Sequence, residues 1–234
     1  MGETPVVVAV DGPAGSGKST IARKLADALG WAYLDSGALY RVFTLAALEA
    51  GVDPDDPDGL LTLGDLDVHF SPDGAVRLAS EDVTQRIREG AVTRAAPRVA
   101  AHPDVRDRVT AFQRAFAARA GRLIAEGRDT GTVVFPDAAL KVYLDADAGE
   151  RARRRLLQQG GDPEAGGGAE LDRVRAAIEE RDRRDRTRVV APLARAADAW
   201  VLDTTKMTLG EVLDTVLARV RSGVPVASDA ESEA

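Results

Sequence analysis

The eight residues Gly12-Pro13-Ala14-Gly15-Ser16-Gly17-Lys18-Ser19 constrain this chain more than any other stretch. They satisfy G-x-x-x-x-G-K-S/T at every defined position. They also sit in the right context, after the β-branched run Val6 to Asp11 and before helical spacing from Lys18 to Leu29 that stops at Gly30. Glycines let successive backbone N–H groups curl around a polyphosphate while the following helix turns its positive end to the same anion. Lys18 is expected on the β- and γ-phosphates and Ser19 on Mg²⁺, with Gly12 through Ser19 and Thr20 forming the contacts to ATP or GTP. An ordinary glycine-rich turn could match by accident, but the strand before it and helix after it argue otherwise. The motif identifies a nucleotide triphosphate site, not a reaction.

The rest of the chain repeats the strand-then-helix rhythm. Strands are expected at 31–35, 123–127, 139–144 and 199–203, and helices at 36–50, 89–101, 103–120, 147–159, 170–188 and 209–221. Such alternation predicts an α/β fold with a parallel sheet covered on both faces. Residues 53–90 break the rhythm. There, two alternating segments, 66–70 and 75–78, flank Ser71-Pro72-Asp73-Gly74 and read as an antiparallel hairpin in an inserted lobe. The domain expected is a single one over 1–222, with core about 5–52, 90–150 and 189–222, the inserted lobe about 53–89, and a region about 151–188 containing a glycine-rich flexible loop. Residues 223–234, small and acidic, are expected to be a disordered tail.

Composition removes several classes. The 234 residues include no cysteine, so neither disulfides nor a thiolate zinc site is possible. A net charge of −7 speaks against non-specific grip on nucleic acid. No basic signal start and no apolar run of about 20 residues are present, so a soluble cytoplasmic protein is expected. Between Arg151 and Arg195, arginines nevertheless form a cationic region, which beside a phosphate loop implies small anionic ligands. The chain has no asparagine, closing the guanine-switch branch with its N-K-x-D sequence, and no apolar strand ends in Asp-Glu as in motor ATPases. A small-molecule kinase remains, needing an acceptor pocket and arginines that close over the phosphoryl group.

Three stretches supply those parts: Asp35-Ser36-Gly37-Ala38-Leu39-Tyr40-Arg41, Gly127 to Ala138 (beginning Gly-Arg-Asp-Thr-Gly-Thr), and Glu180 to Arg188 followed by Ala191-Pro192-Leu193. Together they resemble bacterial-type cytidylate kinase, from about Val6 to Arg221 and in the expected order. The resemblance implies a five-stranded parallel core, a monophosphate-binding lobe enlarged by a small antiparallel sheet, a mobile lid over 151–188, and a monomer. It implies ATP-dependent phosphorylation of CMP and dCMP with Mg²⁺. A UMP-preferring or other small P-loop kinase is the alternative, as is a P-loop switch without transfer activity.

The acceptor residues follow one by one. Ser36 is either a helix N-cap or, with Tyr40 and Arg41 one turn on, part of the pocket. Arg41 and Arg128 suit a bidentate grip on the acceptor's phosphate, the alternative for each being a surface salt bridge. Asp129 is implied to read the cytosine amine. Arg106 matches the other base-reading position, unless it lies on a solvated helix face. Arg181, Asp185 and Arg188, at i, i+4 and i+7, share one helical face. That spacing fits an exposed ion-pair ladder, or the residues that the resemblance places over the monophosphate, with Asp185 at the ribose. Arg151, Arg154 and Arg155 would lie nearer the ATP phosphates. Pro97 stands where relatives have a base-contacting Ser, which weakens cytosine-versus-uracil discrimination, and Thr130 replaces a larger apolar residue. Lys18, Arg128, Arg181 and Arg188 are the expected transition-state residues. No general base is needed, because the attacking phosphate oxygen is already anionic, so His69 and His102 are read as structural.

Overall fold

The computed structural model describes residues 4–71, 74–164 and 168–224. A five-stranded parallel sheet is built from β1 (Val6–Asp11), β2 (Ala32–Asp35), β6 (Arg122–Gly127), β7 (Leu140–Asp145) and β8 (Trp200–Asp203). Its spatial order is β2-β6-β1-β7-β8, so β1 lies at the centre. Successive strand residues point to opposite faces, and both faces of β1 are apolar because both are covered. Val7 joins one core cluster with Leu34, Phe43, Val109 and Leu123. Val8 and Val10 join the other, with Ile21, Leu25, Val142, Leu144 and Val216. The first lies under α2 (Ser36–Glu49), α4 (Gly90–Val99) and α5 (Pro103–Ala120), the second under α1 (Lys18–Leu29) and α8 (Leu209–Gly223). The chain leaves β1 toward β2 on one side, and β7 lies on the other, so the carboxyl end of β1 is where ligands of open α/β sheets bind.

The inserted segment holds the expected hairpin, β3 (Val68–Phe70) against β4 (Val76–Leu78), paired Val68↔Leu78 and Phe70↔Val76. Two elements there were not legible in sequence. A two-residue strand β5 (Glu81–Asp82) adds to β4 after a turn in which Ala79 takes φ 51. A five-residue helix α3 (Pro57–Leu61) buries Leu60. Both are too short for periodicity to register. Pro72 and Asp73 of the expected turn lie outside the described residues, as do 165–167 of the glycine-rich loop and 225–234 of the acidic tail. Val224 is buried against the α8 cluster, so the packed chain reaches beyond Arg221. Helices α6 (Ala148–Gln158) and α7 (Ala169–Thr187) form a hairpin at the carboxyl end of the sheet, joined to the phosphate loop through a small cluster of Ala14, Ala152 and Ile178. Among the described residues, no helix is long and apolar enough to cross a membrane.

Candidate active site

The phosphate loop emerges from β1 under tight backbone constraint. A Cβ at Gly12 would sit 2.2 Å from the Leu144 carbonyl oxygen, so only glycine fits where the loop passes β7. Asp11, the last residue of β1, accepts from the Thr130 and Gly131 N–H groups at 3.0 and 2.7 Å. It thereby fixes the π-helical turn Thr130–Val134 that follows β6. Burial pushes its carboxyl up, against the pull of those two backbone bonds. Lys18 is buried and folds back to donate to the Pro13 carbonyl at 3.3 Å. Burial, then the Arg128 charge, hold its ammonium well below the ordinary lysine range.

Ser19 donates to Glu126 Oε1 at 2.6 Å, and the Tyr33 hydroxyl approaches the same oxygen at 3.4 Å. Glu126 is buried, and that burial pushes its carboxyl up. Sequence reasoning missed Glu126 and Asp11. Each is an acidic residue at the carboxyl end of an apolar strand, and that position was the available signal. Ser19 and Glu126 form an oxygen-only donor pair suited to a hard cation that keeps several waters and takes its other ligands from phosphate. Among the described residues, no group of three or more His, Cys, Asp or Glu side chains is placed to hold a metal ion.

The acceptor side gathers at the ends of β2 and β6. Asp35, not Ser36, caps α2, accepting from Ala38 N–H at 3.0 Å. Ser36 is therefore buried in the first turn without a capping duty. Arg106 is buried too, which rules out the solvated face. It donates to Asp129 Oδ2 at 2.5 Å and to the Ala100 carbonyl at 3.1 Å, and lies over the Tyr40 ring at 5.2 Å. Burial pushes the Tyr40 phenol up to about 12. Arg41 donates to the Ile87 carbonyl at 3.1 Å and to Thr93 Oγ1 at 2.8 Å, linking α2 to the inserted segment and α4. Pro97 lies inside α4 on its exposed face, offering neither a hydroxyl nor a backbone N–H.

The α7 face does not form a ladder along its own helix. Asp185 reaches across to Arg128 Nε at 2.8 Å, and Arg188 donates to Asp129 Oδ1 at 3.1 Å. The helix is thus drawn over the acceptor side. Arg181 is exposed, and its side chain makes no hydrogen bond among the described residues. Protein bulk, then Arg128, lower it to about 10, with Arg41 and Arg155 adding to the repulsion, so it stays charged at neutral pH. Arg41, Arg128, Arg155 and Arg181 thus crowd one region. Arg154 is used differently. It donates to Glu150, to Thr204 Oγ1 and carbonyl, and to the Met207 carbonyl, tying α6 to the segment after β8. Arg151 is also spent on protein, donating to the carbonyls of Ala14 and Ala146 and to Asp182. His69 is an exposed partner of Asp67, and His102 bonds the Pro54 carbonyl, so neither enters the site.

A loop shaped for a triphosphate, beside a cluster of guanidinium groups that repel one another, defines a class: the P-loop phosphotransferases. Residues 8–222 match the family model for cytidylate kinase. A cytidylate kinase of Pectobacterium carotovorum is 52% identical over 219 residues, covering 92% of this chain and 96% of that one. One from Klebsiella pneumoniae is 48% identical over 225 residues, covering 94% and 97%. The crystal structure of TT1252 from Thermus thermophilus shares the fold, with TM-score 0.53 at 20% identity, over 94% of this chain and 98% of that one. The chain belongs to the cytidylate kinase family.

Proposed function

We propose that this kinase transfers the γ-phosphoryl of ATP to CMP and dCMP, giving CDP and dCDP. The observation that carries the reading is the pair of cross-links Asp185–Arg128 and Arg188–Asp129, which tie the carboxyl end of α7 to the acceptor-side residues after β6. An anionic oxygen of the acceptor's phosphate attacks the γ-phosphorus, the bond to the β–γ bridging oxygen breaks, and ADP leaves. Protein catalysis here is positioning plus charge neutralisation. Lys18 and the loop amides hold the triphosphate. Arg41, Arg128 and Arg181 grip the acceptor's phosphate, and Arg155 supports that charge from α6. Arg188 and Arg106 hold Asp129 toward the base. Each carboxylate oxygen of Asp129 retains a second lone pair, so it can still accept from the cytosine amine. Asp185 is assigned to the ribose, displacing its bond to Arg128 when substrate enters. Mg²⁺, held through Ser19 and Glu126, neutralises β- and γ-oxygen charge when bound.

The same reading divides the chain into core, inserted lobe and lid, and takes the enzyme to be a cytoplasmic monomer, which sedimentation tests for assembly. Pro97 favours a second acceptor, UMP, because α4 presents no hydroxyl there to tell an amine from a carbonyl. Steady-state rates with CMP, dCMP, UMP, AMP and shikimate test the assignment. CMP and dCMP should lead; saturable ADP production only with AMP or shikimate would sink it. Lys18→Ala should cut transfer about 10²- to 10³-fold with the fold intact, whereas a non-catalytic switch would show no transfer to lose.

A further inference from the structure

Asp182 lies one residue from Arg181 but on the neighbouring face of α7, and it does not point to the acceptor. It is among the most buried charged residues, 2% exposed, and accepts from the Ala14 N–H at 2.9 Å and from Arg151 Nη1 at 2.5 Å. Arg151, also buried, donates in turn to the Ala14 carbonyl at 2.8 Å. Both hydrogen-bonding groups of one phosphate-loop residue are thus occupied by the α6–α7 hairpin. The next residue is clamped as well: Gly15 has φ +76, and a Cβ there would lie 2.9 Å from the Arg151 carbonyl oxygen. Ala14 also packs with Ala152 of α6 and Ile178 of α7, one turn before Asp182.

We infer that Asp182 and Arg151 are positioning residues that lock the phosphate loop to the lid hairpin, setting the triphosphate in register with the acceptor. The inference rests on the proposed transfer. The orientation of the Ala14 peptide fixes where the following amides point, and those amides cradle the phosphates. From Asp182 the connection to the acceptor is short. Arg181 is its chain neighbour, about 1.5 Å along the helix axis, and Asp185 lies within one turn, bonded to Arg128. A rigid helix leaves little slack between the two. Stability alone does not require such a pair, since apolar residues of similar size commonly replace a buried ion pair without loss. What they cannot replace is the pair of directed bonds to Ala14.

The test compares Asp182→Leu, Asp182→Asn and the double variant Asp182→Leu/Arg151→Met, measuring melting temperature, kcat, both KM values, and ADP formed per CDP formed. The double variant strands no charge, so it should melt above Asp182→Leu and below the parent by no more than the lost Ala14 bonds contribute. Its kcat with CMP should nevertheless fall about 10- to 100-fold, as misplacement by about 1 Å does. Its KM for CMP should change little, and ADP should exceed CDP as water competes with an ill-positioned acceptor. Asp182→Asn keeps an oxygen for the Ala14 N–H and should fall between. A folded double variant with parental kcat and one ADP per CDP would overturn the inference. Loss in Asp182→Leu that Arg151→Met restores would also overturn it, by tracing the defect to an unpaired charge. A parental enzyme making no CDP would overturn the proposed function, and this inference with it.

Discussion

Asp129→Ala and Arg106→Met remove opposite ends of one buried ion pair, and the structure predicts unequal damage. The two side chains are 5% and 4% exposed. Losing one member of such a pair strands the other, which costs about 3–5 kcal/mol when no substitute exists. Arg106 has none. Without Asp129 its remaining contacts are the neutral Ala100 carbonyl and the Tyr40 ring face. Asp129 does have one, because Arg188 donates to its other oxygen at 3.1 Å. Arg106→Met should therefore cost less, about 1–3 kcal/mol, near the value of a charge-assisted hydrogen bond. For a chain of 234 residues, 1 kcal/mol moves Tm by about 2–4 °C. The expected loss is then about 6–20 °C for Asp129→Ala and about 2–12 °C for Arg106→Met, read by thermal unfolding without ligand. A lower melting point for Arg106→Met than for Asp129→Ala would refute the reasoning, as would two variants within about 2 °C of the parent.

Two further outcomes follow from the phosphate loop. With Lys18 held below its ordinary value by burial and Arg128, the folded protein binds fewer protons than the unfolded chain between that lowered pKa and the usual lysine range. Its contribution to stability thus rises with pH across that window and is lost as pH falls through it. A bound triphosphate favours the ammonium, so ATP binding there should take up a proton; calorimetry in two buffers of different ionisation enthalpy reads this, and unchanged uptake in Lys18→Met would contradict it. Gly12→Ala would drive a methyl into the Leu144 carbonyl, a backbone atom that cannot turn aside. ATP affinity should drop more than about 10-fold, and a parental Kd would show that the loop tolerates the displacement.

The amino-acid sequence by itself determined the triphosphate site and the layered α/β plan. Both are local consequences: glycines at fixed offsets shape a loop, and hydrophobic periods of two and 3.6 distinguish strands from helices. The family resemblance then supplied most acceptor residues by position. What sequence left undecided was which charge meets which. Between Arg181 and Arg188, several acids and arginines share one helix; spacing puts Asp185 on the face of Arg181 and Arg188 but names no partner for it or for Asp182. Packing separates them, turning Asp182 onto the backbone of Ala14 and Asp185 onto Arg128. Ser36 was the N-cap candidate, yet the Asp35 carboxylate caps α2 instead, which frees the Ser36 hydroxyl. Arg154 and Arg155 are neighbours in a basic helix, yet Arg154 serves the segment after β8 while Arg155 donates to Gln158 and adds its charge to that around Arg181. Adjacent residues on a helix point about 100° apart, so their roles depend on what lies across from each, and only the folded chain brings those partners there.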